Sequence, residues 1–389
     1  MCSYDFGILL NIDYVKKYGF IPNGARVYFL NRSQPPMFSE MIMEYFQATN
    51  DTEILGELLP LLVKEYNYWM TKHKVEIGGH VLNRYFVEAD YPRPESYLED
   101  VEQGLSIEKN SFKVEGLNTQ QAKHVWSNLA SGAESGWDFR YVSVLYMLII
   151  SSRWFEGENL VNISTNGIIP VDLNAIMYKV EMNIATFYEI LGDENSTQYY
   201  RKKAEKRKIA IDQLLWNPQK YEWNDYDIDV QYLRFIFIIY LSNRDGNYVS
   251  NFIPLWAGCY DNINETKVVE SFFHNSNLIF NGGLVSTSNV MSNQQWDLPN
   301  AWPPLQCFMI EALERIEKKE LAENLATAWV KTNYLAFQKY NYMYEKYNAL
   351  HMGEGGGGGE YVPQVGFGWS NGVLLSLVSK YPHINPNDF

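Results

Sequence analysis

Apolar residues recur at three- and four-residue intervals along most of the chain, the period of a helix with one buried face. The cleanest stripe is Leu173, Ile176, Met177, Val180, Ile184, Phe187, Tyr188 and Leu191, with Asp172 placed to cap its start and Gly192 to stop it. A second helix, from about Thr197 to Leu215, carries Arg201, Lys202, Lys203, Lys206 and Arg207, a charge run that reads as a solvated face. Leu321, Leu325, Ala328, Trp329 and Leu335 mark a third. Leu305, Phe308, Met309, Ala312, Leu313 and Ile316 mark another, directly behind the stretch QWDLPNAWPP at 295–304. Ile12 to Tyr18 reads as a short helix ahead of a loop. Strand-like alternation is scarce, and no repeat of about 20–50 residues is visible. Helices joined by long Gly-, Pro- and Asn-rich connections predict an all-α domain whose chemistry lies on its loops.

Three of those loops carry candidate chemistry. QWDLPNAWPP sets two Trp, one Asp and three Pro in ten positions, too much Pro for a helix. Indole faces cover the C–H side of a pyranose, and a carboxylate accepts from its hydroxyls, so the loop suits a sugar. A Pro-stiffened connector with core Trp residues fits the same letters. Asn23 and Arg32-Ser33-Gln34 offer the mixed donors and acceptors that sugar recognition wants, or form a polar turn before a helix. In Glu134-Ser135-Gly136-Trp137-Asp138, a Trp beside an Asp can raise the carboxyl's pKa as a general acid requires; otherwise the Asp is a turn residue. The run Gly355 to Gly359 reads as a flexible linker, and with no Lys-Ser/Thr after it, it is not a phosphate loop.

Composition narrows the partners. The 389 residues are 46% hydrophobic, enough for a substantial core, and 15% aromatic. A net charge of −14 argues against nucleic acid or an anionic membrane and agrees with a neutral ligand such as a sugar. Cys2, Cys259 and Cys307 are too few and scattered for a disulfide framework or a metal site. The first residues show no basic segment followed by an apolar core, so no signal peptide is expected in this chain. No run reaches the roughly 18 apolar residues of a membrane helix. Sequons at Asn31, Asn50, Asn162, Asn195 and Asn264 fit a secreted parent protein.

QWDLPNAWPP resembles the second signature of trehalases, the inverting glycoside hydrolases that cut α,α-trehalose into two glucoses. Other segments resemble the family in the same order: GFIPNG from Gly19, NRSQPP from Asn31, Arg93-Pro94-Glu95, ESGWDF from Glu134, Glu345-Lys346-Tyr347-Asn348, the Gly run into Glu360-Tyr361, and GFGWSNG from Gly366. The resemblance runs from about Asn11 to about Ser379. It implies an (α/α)6 barrel with the site at one mouth, a single catalytic domain over 1–389, trehalose as substrate, and no metal or organic cofactor. By resemblance Asp138 is the general acid and Glu345 the general base, with carboxyls about 6.5–9.5 Å apart for an inverting enzyme. Asn23, Arg32, Ser33, Gln34, Arg93, Pro94, Glu95 and Glu360 are then substrate contacts, and Gly136 contacts it through backbone. Asp297 is a further sugar contact, with Trp296 and Trp302 walling the pocket. The Gly run becomes a mobile lid, although Glu354 is another carboxylate beside it. Family habit and the sequons together point to an extracellular location.

Two departures stand out. Arg140 to Ile150 (RYVSVLYMLII) interrupts the family pattern between Phe139 and Ser151 as an apolar insertion. The family's first signature is absent, so the barrel is expected to lack its first helices. The competing expectations are a truncated, non-catalytic trehalase-like protein, and another (α/α)6 glycosidase acting on α-glucans.

Overall fold

The computed structural model describes residues 12–110, 120–137, 153–154, 163–228, 246–261, 263–288, 295–358 and 362–385. The chain folds into two compact units. One comprises Met1–Gly136, Ser164–Leu215 and Asp225–Asn243; the other comprises Trp137–Ile163, Trp216–Asn224 and Arg244–Phe389. Helices dominate both, as the periodicity predicts.

The first unit holds α1 (12–18), α2 (Phe38–Thr49), α3 (Thr52–Lys72), α4 (Tyr97–Asn110), α5 (Gln120–Glu134), α6 (Val171–Ile190) and α7 (Glu194–Leu214). A hairpin of β1 (Lys74–Ile77) and β2 (His80–Asn83) follows α3. The pair β3 (Ile168–Ile169) and β6 (Tyr226–Asp227) precedes α6 in space. The centre is α6, against which α2, α3 and α7 pack. Its predicted stripe is buried from Leu173 to Phe187. Its start differs from expectation: the helix begins at Val171, and Asp172 lies inside the first turn. The cap comes from elsewhere in the sequence, because Asp225 Oδ1 accepts from the Val171 amide at 2.9 Å. Asp172 there still favours the positive end of the helix. Likewise α7 starts at Glu194, where Asp193 accepts from the Ser196 amide at 3.0 Å, rather than at Thr197.

The basic run on α7 is not uniformly solvated. Arg207 is 3% exposed. Its fork grips Glu181 of α6 at 2.9 and 3.0 Å, and its remaining nitrogen donates to Asn83 at 2.9 Å and Asn174 at 3.0 Å. Glu181 also accepts from Tyr66 of α3 at 3.0 Å. The reason is helical phase: Arg207 falls in line with the buried Tyr200, Ala204 and Ile211, while Arg201 and Lys206 do not. A charge that lands on the apolar stripe is buried only because it is paired.

In the second unit, α8 (Ile253–Ala257), α9 (Glu265–Glu270), α10 (Pro303–Arg315), α11 (Lys319–Tyr340) and α12 (Gly368–Lys380) are joined by two-residue strand pairs. These are β4 (Trp216–Asn217) with β5 (Glu222–Trp223), β7 (Ile279–Phe280) with β8 (Gly283–Leu284), and β9 (Asn300–Ala301) with β10 (Tyr347–Asn348). The core helix is α10, packed on α8, α11 and α12. On α11 the buried face is centred on Ala322, Leu325, Ala326, Trp329, Val330 and Ala336, and the predicted Leu321, Ala328 and Leu335 flank it half-buried. Thr332 and Asn333 share that buried face, bonded to the Gly282 carbonyl and the Trp329 carbonyl, and their polarity disguises its centre in the sequence. No described helix is long and apolar enough to cross a membrane.

Candidate active site

The stretch 295–304 is not wholly a loop. Asn300 and Ala301 form β9 and pair antiparallel with Asn348 and Tyr347. Trp302 is the N-cap of α10 and Pro303 opens the helix, where its missing N–H costs nothing. The ladder thus sets the segment Glu345-Lys346 beside the signature, a pairing of residues nearly fifty positions apart. Leu298–Pro299 is cis.

Glu345 is 2% exposed. Its Oε2 accepts from the Gln364 amide at 3.0 Å. Its backbone is held by the reciprocal bond to the Gln364 carbonyl at 2.9 Å and by Trp369 Nε1, which donates to its carbonyl at 2.8 Å. No described residue donates to the other carboxylate oxygen. One oxygen is therefore fixed by a backbone amide, and the other takes no donor from the described residues, an arrangement compatible with a general base. Glu354, the competing carboxylate, is differently placed. It is half-buried and accepts from Lys339 Nζ at 2.5 Å and Tyr340 Oη at 2.6 Å, and these two donors, the lysine first, hold its carboxyl below the usual range.

Four indoles stand in contact in this unit. Trp137 stacks on Trp296 at 5.0 Å, Trp296 on Trp302 at 4.1 Å and 6°, and Trp302 meets Trp369 edge-on at 5.5 Å. Arg153 lies over both Trp137 and Trp154, and Trp154 Nε1 donates to the Trp137 carbonyl at 2.9 Å. Asp297 is buried and accepts from Thr287 Oγ1 at 3.0 Å. Among the described residues no group of three or more His, Cys, Asp or Glu could hold a metal ion.

The first unit gathers the remaining described candidates into a second cluster. Arg32, 1% exposed, donates from Nε to Asn23 Oδ1 at 3.2 Å and from Nη2 to Glu95. Asn23 in turn donates to the carbonyls of Ser33 and Ala133, both at 3.2 Å. Ser33 Oγ donates to the Ile21 carbonyl at 2.9 Å. The Gln34 side-chain amide makes no hydrogen bond among the described residues. It lies over Gly136, whose φ of +72° needs glycine and where a Cβ would sit 3.3 Å from Gln34 Oε1. Arg93 is turned to a neighbour instead: its fork and its own amide all donate to the buried Asp100 at 2.7–2.9 Å. Pro94 opens the short turn that carries Glu95. Asp138, Glu360 and the Arg140–Ile150 segment lie outside the described residues.

Sequence reasoning passed over Glu134, although it begins the ESGWDF segment. Fully buried at the end of α5, it accepts from the Ser33 amide at 2.8 Å, from the Phe86 amide at 3.1 Å, and meets His73 Nε2 at 2.9–3.0 Å. It also passed over Lys346, whose ammonium reaches the Gly358 carbonyl at 3.1 Å, Gln295 Oε1 at 3.4 Å and the face of Trp302. In both cases the only signal was a charged residue standing inside a motif. Their partners are far away in the chain.

The family model for trehalases matches residues 7–382. The chain belongs to the trehalase family. It is 40% identical to a trehalase of Apis mellifera over 393 residues, covering 96% of this chain and 58% of that one. It is 37% identical to a trehalase of Homo sapiens, covering 96% of this chain and 61% of that one. The chain thus spans about three-fifths of the length of these curated relatives. Among solved structures it is similar to a neutral trehalase of Saccharomyces cerevisiae, with a TM-score of 0.71 at 20% identity, covering 95% of this chain and 66% of that one. The all-α class and the (α/α)6 trehalase fold expected from the sequence are those of the structure.

Proposed function

We propose that this chain hydrolyses α,α-trehalose to two glucoses with inversion. Glu345 serves as the general base and Asp138 as the general acid. The observation that carries the reading is Glu345 itself, a buried carboxylate with one oxygen anchored by an amide and no donor to the other among the described residues. Membership of the trehalase family supplies the substrate class. Arg32, Glu95, Asn23, Ser33, Gln34 and the Gly136 backbone are sugar contacts, and Arg93 acts with Asp100 and Pro94 in shaping the turn that presents Glu95. Asp297 contacts sugar, Trp296 and Trp302 form an apolar wall, and Glu360 is a further contact. The reaction needs only carboxylates and water.

The test is glucose release from trehalose by the purified chain, with maltose in parallel and the first-formed anomer followed by polarimetry or NMR. Glu345→Gln should lower kcat about a thousandfold, whereas Glu354→Gln should leave it within about threefold. Equal losses in the two variants, or net retention at the anomeric carbon, overturn the assignment. A folded sample that releases nothing from trehalose overturns the activity.

A further inference from the structure

The buried ammonium of Lys346 has no part in the proposed chemistry, yet it joins three segments of the second unit. Lys346 is 0% exposed. Its Nζ reaches the Gly358 carbonyl at 3.1 Å and Gln295 Oε1 at 3.4 Å, and lies 4.9 Å from the centre of the Trp302 ring. Two of these partners belong to the signature stretch and one to the glycine run. The run is also tied by backbone: the Gly356 amide donates to the Lys346 carbonyl at 2.9 Å, and the Gly357 amide donates to Asn300 Oδ1 at 3.0 Å. The approach is close enough that a Cβ on Gly356 would lie 2.6 Å from Asn300 Oδ1 and 2.8 Å from Lys346 Cγ.

A five-glycine run has more conformational freedom to lose than any other pentapeptide. Backbone hydrogen bonds to two amides do little against that entropy. A buried cation with a carbonyl, an amide oxygen and an indole face around it is a stronger tie, because its charge is desolvated and its partners are fixed. We propose that Lys346 is a positioning residue that holds Gly356–Gly358 against the signature stretch before substrate arrives. Its loss acts on substrate binding, since a run ordered only on binding charges its entropy to affinity. The kinetic part of this inference rests on the trehalase activity proposed above.

The test compares the whole chain with Lys346→Met, which keeps the stem and removes the charge. Amide exchange at Gly356 and Gly357 is followed without substrate, with α10 and α11 as internal references. Exchange in the glycine run should accelerate about tenfold while the helices stay protected. With trehalose, KM should rise about tenfold, with kcat and the pH limbs unmoved. Unchanged exchange overturns the proposal. So does a fall in kcat at constant KM with a displaced pH limb, which would mean that Lys346 acts on the chemistry. If the methionine variant loses its fold, Gln295→Leu removes one acceptor and leaves the lysine in place; faster exchange in the run supports the proposal, and wild-type exchange overturns it. Should the parent chain release no glucose, the proposed activity fails alone, and the exchange measurement still decides the role of Lys346.

Discussion

Glu65 shows what a single side chain can cost a helix-rich core. It sits on the buried face of α3, in line with Leu58, Leu62 and Trp69, and is 2% exposed. Burial pushes its carboxyl from 4.5 up to about 8. The folded state therefore holds this proton at pH values where the unfolded chain has released it. Stability from this group is fully present below about pH 4.5 and is lost as pH rises toward 8. Glu65→Gln should be more stable than the parent above pH 8, by on the order of a few kcal/mol, and no different near pH 4.5. Urea unfolding at the two pH values checks both the sign and the window. Nothing in the sequence marks Glu65 as buried except its phase on the helix. The same lesson applies to Arg207, where phase outweighs residue type, whereas Glu345 and Arg32 stood out as candidates because motifs carried them.

Among the elements, the helices with a clean apolar stripe were readable and their edges were not. The stripe of α6 follows from local sequence, but its cap, Asp225, lies more than fifty residues onward and no local rule could name it. Asp225→Ala should cost about 1–2 kcal/mol in urea unfolding and should loosen the first turn of α6 in amide exchange. The same limit hid β9 and β10. Two-residue strands carry no period, and only the fold brings Asn300 to Asn348. The knot of Arg207, Glu181, Tyr66 and Asn83 ties α7, α6, α3 and β2. Arg207→Met should destabilise by about 3–5 kcal/mol because Glu181 is left buried without its cation, with the Tyr66 hydroxyl still donating to it. The double variant with Glu181→Met should recover most of that loss, and a urea series on the three proteins measures it.

At the scale of the whole molecule, the net charge of −14 and the neutral substrate proposed above make a simple forecast. Electrostatic steering accelerates only charged partners, so kcat/KM for trehalose should change less than about twofold between low and moderate salt. A steep salt dependence would point to a charged substrate instead. The stack of indoles has an optical consequence. Rings held nearly parallel at 4.1 Å share their electronic transitions, so Trp296 and Trp302 should give a coupled near-ultraviolet circular dichroism couplet that lone tryptophans do not produce. If these indoles back the sugar as proposed, its binding would alter the couplet. The protein therefore carries its own label, and binding can be followed without an attached dye in Glu345→Gln chains, whose turnover the proposed mechanism expects to be about a thousandfold slower.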